Sequence, residues 1–164
     1  MINRSAFFGG MVLLGMGILF PSLAFAQSPP AVACTEIGCQ NGVTLTVPPD
    51  RIWEKGHYTF LFRLDQKTVK CWGNLPLPKC EDGPALTCDT AGIVTITESG
   101  CALPRTAHRF SDIYIAAKAK SIALRIDLGN TTIFSKNYRP IYKTLQPNGP
   151  QCGPVCYSAS LPLF

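Results

Sequence analysis

Ser121-Ile-Ala-Leu-Arg-Ile-Asp-Leu-Gly-Asn-Thr-Thr-Ile-Phe-Ser135 is the stretch that decides the fold class. Ile122, Leu124, Ile126 and Leu128 alternate with Ala123, Arg125 and Asp127, the period of a β-strand that buries one face and wets the other. Gly129-Asn130 follows, a pair that tolerates the positive φ of a tight hairpin turn, so Thr131 to Ser135 is expected to return as the partner strand. Asn130-Thr131-Thr132 also matches the N-glycosylation acceptor pattern, but Asn directly after Gly129 is read here as a turn residue.

The same period recurs in both directions along the chain. Gly42 to Pro48 alternates Val43, Leu45 and Val47 with Thr44 and Thr46, and the pair Pro48-Pro49 stops it. His57 to Asp65 places Tyr58, Phe60, Phe62 and Leu64 on one face, with Leu61 opposite them predicting cover on both sides. Lys67 to Trp72, Gly92 to Glu98, Ser111 to Ala117 and Arg139 to Leu145 complete the set of strands. Gly73 to Ala85 is read as a loop because Pro76, Pro78 and Pro84 cannot donate to a ladder. Cys101-Ala-Leu-Pro-Arg105 is a second loop. Ala116 to Lys120 alone has a helix-compatible composition, and the neighbouring Ile113 and Ile115 sit two apart, not three or four. Seven or eight short strands predict an all-β immunoglobulin-like β-sandwich, with a small closed β-barrel as the alternative. Trp72, beside Cys71, is expected in the sandwich core.

Residues 1–26 read as a secretory signal: Arg4, an apolar run from Ala6 to Phe20, Pro21, then Ala24 and Ala26 around the cleavage point before Gln27. A helix of about 15 residues reaches roughly 22 Å, short of the roughly 30 Å hydrocarbon core. A lipoprotein signal ending at Cys34 is the rival, disfavoured because Ser28, Pro29 and Pro30 separate that cysteine from the apolar run. Residues 27–164 are therefore expected to be one secreted or periplasmic β domain with Pro-rich arms at Ser28 to Pro30 and Gln146 to Pro154. Losing Arg4 leaves 14 basic against 10 acidic residues, a modest and dispersed positive bias that does not describe a nucleic-acid binder.

All eight cysteines (Cys34, Cys39, Cys71, Cys80, Cys88, Cys101, Cys152 and Cys156) follow the expected cleavage point. An even set in an oxidising compartment predicts four disulfides. Tight C-x2-C pairs that would favour zinc are missing, and His57 and His108 stand in unrelated contexts, so no metal or other cofactor is expected. Cys34 with Cys39, and Cys152 with Cys156, flank short turn-forming segments, and each pair is short enough to close on itself. Cys88 and Cys101 flank a strand and should not pair.

Catalytic patterns are weak. His108-Arg109-Phe110-Ser111-Asp112 contains the three residue types of a serine-nucleophile triad. In a strand, however, spacing four separates residues by roughly 13 Å, and no G-x-S-x-G elbow is present. Glu81-Asp82 and Glu98 lack any spacing that indicates paired-carboxylate chemistry. Trp53, Tyr58, Trp72, Tyr138 and Tyr142, interspersed with Arg51, Lys55, Lys70, Arg139 and Lys143, instead propose a surface for stacking or for an anionic partner. Arg105, after Pro104 and close to Cys101, sits as exposed inhibitor loops do, where rigidity lowers the ordering cost of binding.

The tail Gln146-Pro-Asn-Gly-Pro-Gln-Cys-Gly-Pro-Val-Cys156 resembles the closing segment of small exported proteobacterial proteins that have no assigned function. The resemblance implies export and disulfide stapling and transfers no catalytic residue. The expected function is a non-enzymatic binding or interaction module with a protein or glycan ligand, using Trp53, Tyr138, Tyr142 and Arg105. Inhibition of an exported hydrolase through Arg105, and a small hydrolase around His108, are the alternatives. The intact mass of the exported protein is expected to match a chain beginning at Gln27; a diacylglyceryl species beginning at Cys34 would contradict this.

Overall fold

Alternation becomes burial along β2 (Gly56–Leu64), where Tyr58, Phe60, Phe62 and Leu64 all face the interior while His57 and Arg63 face solvent. The computed structural model describes residues 33–164, so the expected signal and cleavage point lie outside the described residues. Within them the remaining strands are β1 (Gly42–Thr46), β3 (Lys67–Leu75), β4 (Thr87–Cys88), β5 (Val94–Ser99), β6 (Arg109–Ile115), β7 (Ile122–Leu128), β8 (Thr131–Tyr138), β9 (Lys143–Leu145) and β10 (Cys156–Pro162). They form two five-stranded sheets, ordered β5-β6-β1-β10-β9 and β4-β3-β2-β7-β8. The architecture is an immunoglobulin-like all-β sandwich and not a closed barrel.

The interior is built by the inward residues of both sheets. Tyr58, Phe60, Phe62, Ile122, Leu124 and Ile126 from one sheet meet Val43, Leu45, Phe110, Ile113 and Ile115 from the other. Each large side chain fully withdrawn from water contributes about 1.5–3 kcal/mol. The Gly129-Asn130 turn joins β7 to β8 as the sequence implies, with Gly129 at φ 57°.

Polar contacts close the two sides of the sandwich. On one, the Glu98 carboxylate on β5 accepts the backbone N–H groups of Ala85 (2.9 Å) and Leu86 (2.7 Å), just before β4. Gly73 on β3 is required there, because a Cβ would run into the Ala85 carbonyl. On the other side Tyr138, ending β8, donates to the Leu163 carbonyl after β10, and Tyr142 donates to the Ala119 carbonyl at 2.8 Å.

Three sequence expectations need correction. The loop expected from Gly73 starts later, because β3 continues to Leu75 with Gly73 and Leu75 buried. Trp72 is not core: it points to the outer face of β3, half-buried with Lys70 at 5.9 Å, and Trp53 occupies the interior instead. Leu61 is likewise only half covered, beside Arg63 and Arg125 on the outer face.

A strand that the sequence reading did not include follows the Pro-rich segment Gln146 to Pro154. Residues Cys156–Pro162 form β10, which lies between β1 and β9 and pairs in parallel with β1, Gly42 with Ser158 through Thr46 with Pro162. Parallel pairing carries the segments that precede the two strands along side by side. Cys34 therefore bonds Cys152 (Cα–Cα 5.7 Å) and Cys39 bonds Cys156 (6.0 Å), in place of two self-closed loops. Asn148 adds a clip, accepting the Ile37 N–H at 3.0 Å and donating to the Ile37 carbonyl at 2.9 Å. Cys71 and Cys88 bond directly across the β3–β4 ladder, and Cys80 bonds Cys101. Cys88 and Cys101 are thus not partners, as expected, and all eight cysteines are bridged.

With Cys39–Cys156 in place, Cys34–Cys152 closes a ring of only about ten further residues. Replacing either pair by Ser is therefore expected to cost about 3 kcal/mol and replacing both about 7 kcal/mol. Urea unfolding of the oxidised single-pair and double-pair variants measures this; equal cost for one pair and for both would refute the side-by-side arrangement.

Candidate functional site

The antiparallel pairing of β1 with β6 brings two connections to the same end of the sandwich: the one leaving β1 and the one entering β6. The Arg109 guanidinium donates to the Pro49 carbonyl at 2.7 Å and the Val47 N–H to the Ser111 carbonyl at 3.1 Å, so the two connections are held together at their base. Above these bonds lies a cleft of about 290 Å³ between the Pro49 to Trp53 segment and the Leu103 to Arg109 segment.

The second segment is rigid for local reasons. Gly100 takes φ 95°, where a Cβ would strike the Ala107 carbonyl, so the chain can turn sharply there only as glycine. The Leu103 N–H bonds the Gly100 carbonyl and the Ala107 N–H bonds the Pro104 carbonyl, both at 2.8 Å, forming the 3-10 turn Arg105–Ala107. Cys101 ties the segment to Cys80.

Trp53 and His108 stand on the two sides of the cleft. Trp53 is 9% exposed and packs edge-on against Tyr58, Phe110 and Phe164. His108 is 7% exposed and its Nε2 lies 3.0 Å from the Leu103 carbonyl. A carbonyl only accepts, so Nε2 carries the hydrogen and a neutral ring leaves Nδ1 as an acceptor. Trp53 Nε1 and His108 Nδ1 are both buried without a hydrogen-bond partner, which costs about 1–3 kcal/mol for each orphaned group. Two such groups on residues that line one cleft are unusual, because buried polar atoms are nearly always paired.

Around this floor the rim is apolar and basic. Ile52 is 83% and Leu103 59% exposed. The Arg51 guanidinium lies 5.8 Å from the Trp53 ring and 4.2 Å from the Phe164 ring. Arg51 and Arg105 are exposed and Arg109 half-buried, and among the described residues none of the three forms an ion pair. Asp50 is the one acidic residue of the lining.

The structure separates the residues that the sequence grouped as an aromatic surface. Trp53 stays at the cleft, but as a buried side chain and not as an open stacking face. Tyr138 is 6% exposed and Tyr142 half-buried, and neither lines the cleft. Burial pushes the Tyr138 hydroxyl up to about 12, and it raises that of Tyr142 with help from the Asp65 charge. Both hydroxyls bond backbone carbonyls at the side of the sandwich. Arg105 is exposed at the start of the 3-10 turn whose next residues, Thr106 and Ala107, line the cleft. Ile52 was missed; its only sequence signal is an aliphatic residue between Arg51 and Trp53 directly after a Pro-Pro stop.

His108, Ser111 and Asp112 are not joined by any hydrogen bond: His108 binds the Leu103 carbonyl, and the Ser111 hydroxyl donates to the Thr97 carbonyl at 3.3 Å. His57 Nδ1 pairs with Asn74 at 3.0 Å on the exposed face. Glu98 is occupied by its two backbone donors, and Glu81 and Asp82 lie in the exposed 3-10 turn Cys80–Asp82. Among the described residues no group of three or more His, Cys, Asp or Glu is placed to hold a metal ion. No family model, curated protein or solved structure matches the chain.

Replacing Cys80 and Cys101 together by Ser is expected to cost about 3 kcal/mol and to speed hydrogen exchange at the Leu103 and Ala107 amides far more than within β2. Uniform acceleration would show that the bridge does not brace this loop in particular.

Proposed function

We propose that the chain is an exported, non-enzymatic binding module of the periplasm or cell exterior whose recognition site is the cleft between the Arg51 to Trp53 and Leu103 to Arg109 segments. The observation that carries this reading is the pair of partnerless buried polar atoms on two residues that line a cleft, which exposed Ile52 and Leu103 flank together with guanidiniums that have no ion-pair partner among the described residues. A ligand seated there gives both atoms partners and covers aliphatic surface, and such convergence of a few polar groups in an apolar recess is the general form of a binding site. Export is supported by four disulfides in a small domain, a state that persists in oxidising compartments. The tail Gln146 to Cys156, with its resemblance to small exported bacterial proteins, points the same way. Among the described residues no helix is long and apolar enough to cross a membrane.

A second reading, inhibition of an exported hydrolase, draws on the exposure of Arg105 in a loop braced at Cys101. It is weaker because Arg105 opens a 3-10 turn, whereas strand addition to a partner's sheet edge needs extended backbone.

Site-specific photocrosslinking in the parent organism separates these readings. A photoreactive residue at position 52 or 103 is expected to trap a partner, and one at Arg63 on the outer face of β2 is not. With the photoreactive residue at position 52, Leu103→Ser should sharply reduce the adduct, and with it at position 103, Ile52→Ser should do the same, each Ser changing stability by no more than about 0.5 kcal/mol at its exposed site. Equal trapping at Arg63, or none at the cleft, would refute the assignment. A hydrolytic activity of the purified protein that disappears with Ser111→Ala would refute its non-enzymatic part.

A further inference from the structure

We infer that the ligand of this cleft is an acidic peptide segment bearing an aliphatic side chain, supplied by another exported protein; this inference rests on the cleft being the recognition site. Charge selects the sign. Arg51 and Arg109 line the cleft against the single acid Asp50, exposed Arg105 directly precedes the lining residue Thr106, and none of the three has an ion-pair partner among the described residues, so a carboxylate gains charge-assisted bonds there that a cation cannot.

The floor selects the backbone. Trp53 Nε1 can only donate, and His108 Nδ1, with Nε2 committed to the Leu103 carbonyl, accepts. A peptide chain offers both complements along one strand, a carbonyl for Trp53 and an N–H for His108. Both atoms are covered, so side chains must move for the segment to reach them, a cost offset by the partners the two atoms gain.

The rim selects the side chain and disfavours a saccharide. Ile52 and Leu103 offer aliphatic surface, which an aliphatic side chain covers well. Sugar rings bind best on an open aromatic face, and Trp53 has none: Tyr58, Phe110, Phe164 and the Arg51 guanidinium surround it.

The test titrates the oxidised full-length exported protein, labelled with ¹⁵N, with a pool of capped octapeptides that alternate Asp or Glu with Leu, Ile or Val. Matched pools carry Lys for the acids or Ser for the aliphatic residues, and an oligogalacturonate serves as an acidic ligand that is not a peptide. The acidic aliphatic pool is expected to move the Trp53 indole N–H resonance and the Leu103 and Ala107 amides, leaving the Trp72 indole unmoved. Binding should weaken about tenfold in the Lys and Ser pools and fall steeply between low salt and ~300 mM salt. Arg51→Gln with Arg105→Gln, both on exposed side chains, should weaken it comparably, and Arg139→Gln should not. Equal binding of the Lys pool, or response to the oligogalacturonate alone, overturns the peptide inference and leaves the cleft as the recognition site. Response of no probe at the cleft overturns the inference, and the separate crosslinking result at positions 52 and 103 then decides whether the site itself stands.

Discussion

β1 and β10 come from opposite ends of the described chain and run in parallel, with Val43 beside Ala159 and Leu45 beside Leu161. A ladder between strands so far apart in sequence must overcome a large loop-closure entropy before its hydrogen bonds form. Cys34–Cys152 and Cys39–Cys156 lower that cost in the unfolded chain by joining the two segments just ahead of the ladder. The first sheet is arranged around this contact, since β6 pairs with the free edge of β1 and β9 with the free edge of β10. Leu163, carried in behind β10, reaches full burial and accepts the Tyr138 hydroxyl from the opposite sheet.

The cleft is a consequence of the same arrangement. Because β1 is held from one side by β10, its other edge is available to β6, and the connections before β2 and before β6 emerge together. Trp53 folds under its own connection into the aromatic group of Tyr58, Phe60 and Phe110 and leaves its indole N–H without an acceptor. His108 anchors the facing segment through Leu103 and leaves its other nitrogen bare. Both side chains are well placed for packing and poorly placed for hydrogen bonding. Buried polar groups left unsatisfied in this way are uncommon in folded proteins.

Most of the sandwich was legible because its strands are regular. Val43 to Val47, Tyr58 to Leu64 and Ile122 to Leu128 alternate without interruption, and burial follows that alternation in the structure. β10 was not legible in the same way: Cys156-Tyr-Ser-Ala-Ser-Leu-Pro162 carries small and polar residues, and proline ends it. Ala159 within it and Leu163 just after it are both buried and four positions apart, a faint sign of the strand, but Ala159 is too small to stand out. The site was legible only in fragments. Arg105, Trp53 and His108 each drew notice in the sequence for separate reasons, and nothing local indicates that Trp53 and His108 share a cleft.

Sequence alone determined the all-β class, the hairpin turn at Gly129-Asn130 and the even complement of bridged cysteines, because each depends on residues within a few positions of one another or on a simple count. Tertiary structure decided which tryptophan enters the core, which cysteines meet and where the cleft opens. Those outcomes depend on pairing between β1 and β10 across more than a hundred residues. Periodicity shows that a strand has an inner face, but it carries no information about which distant strand will lie beside it or in which direction.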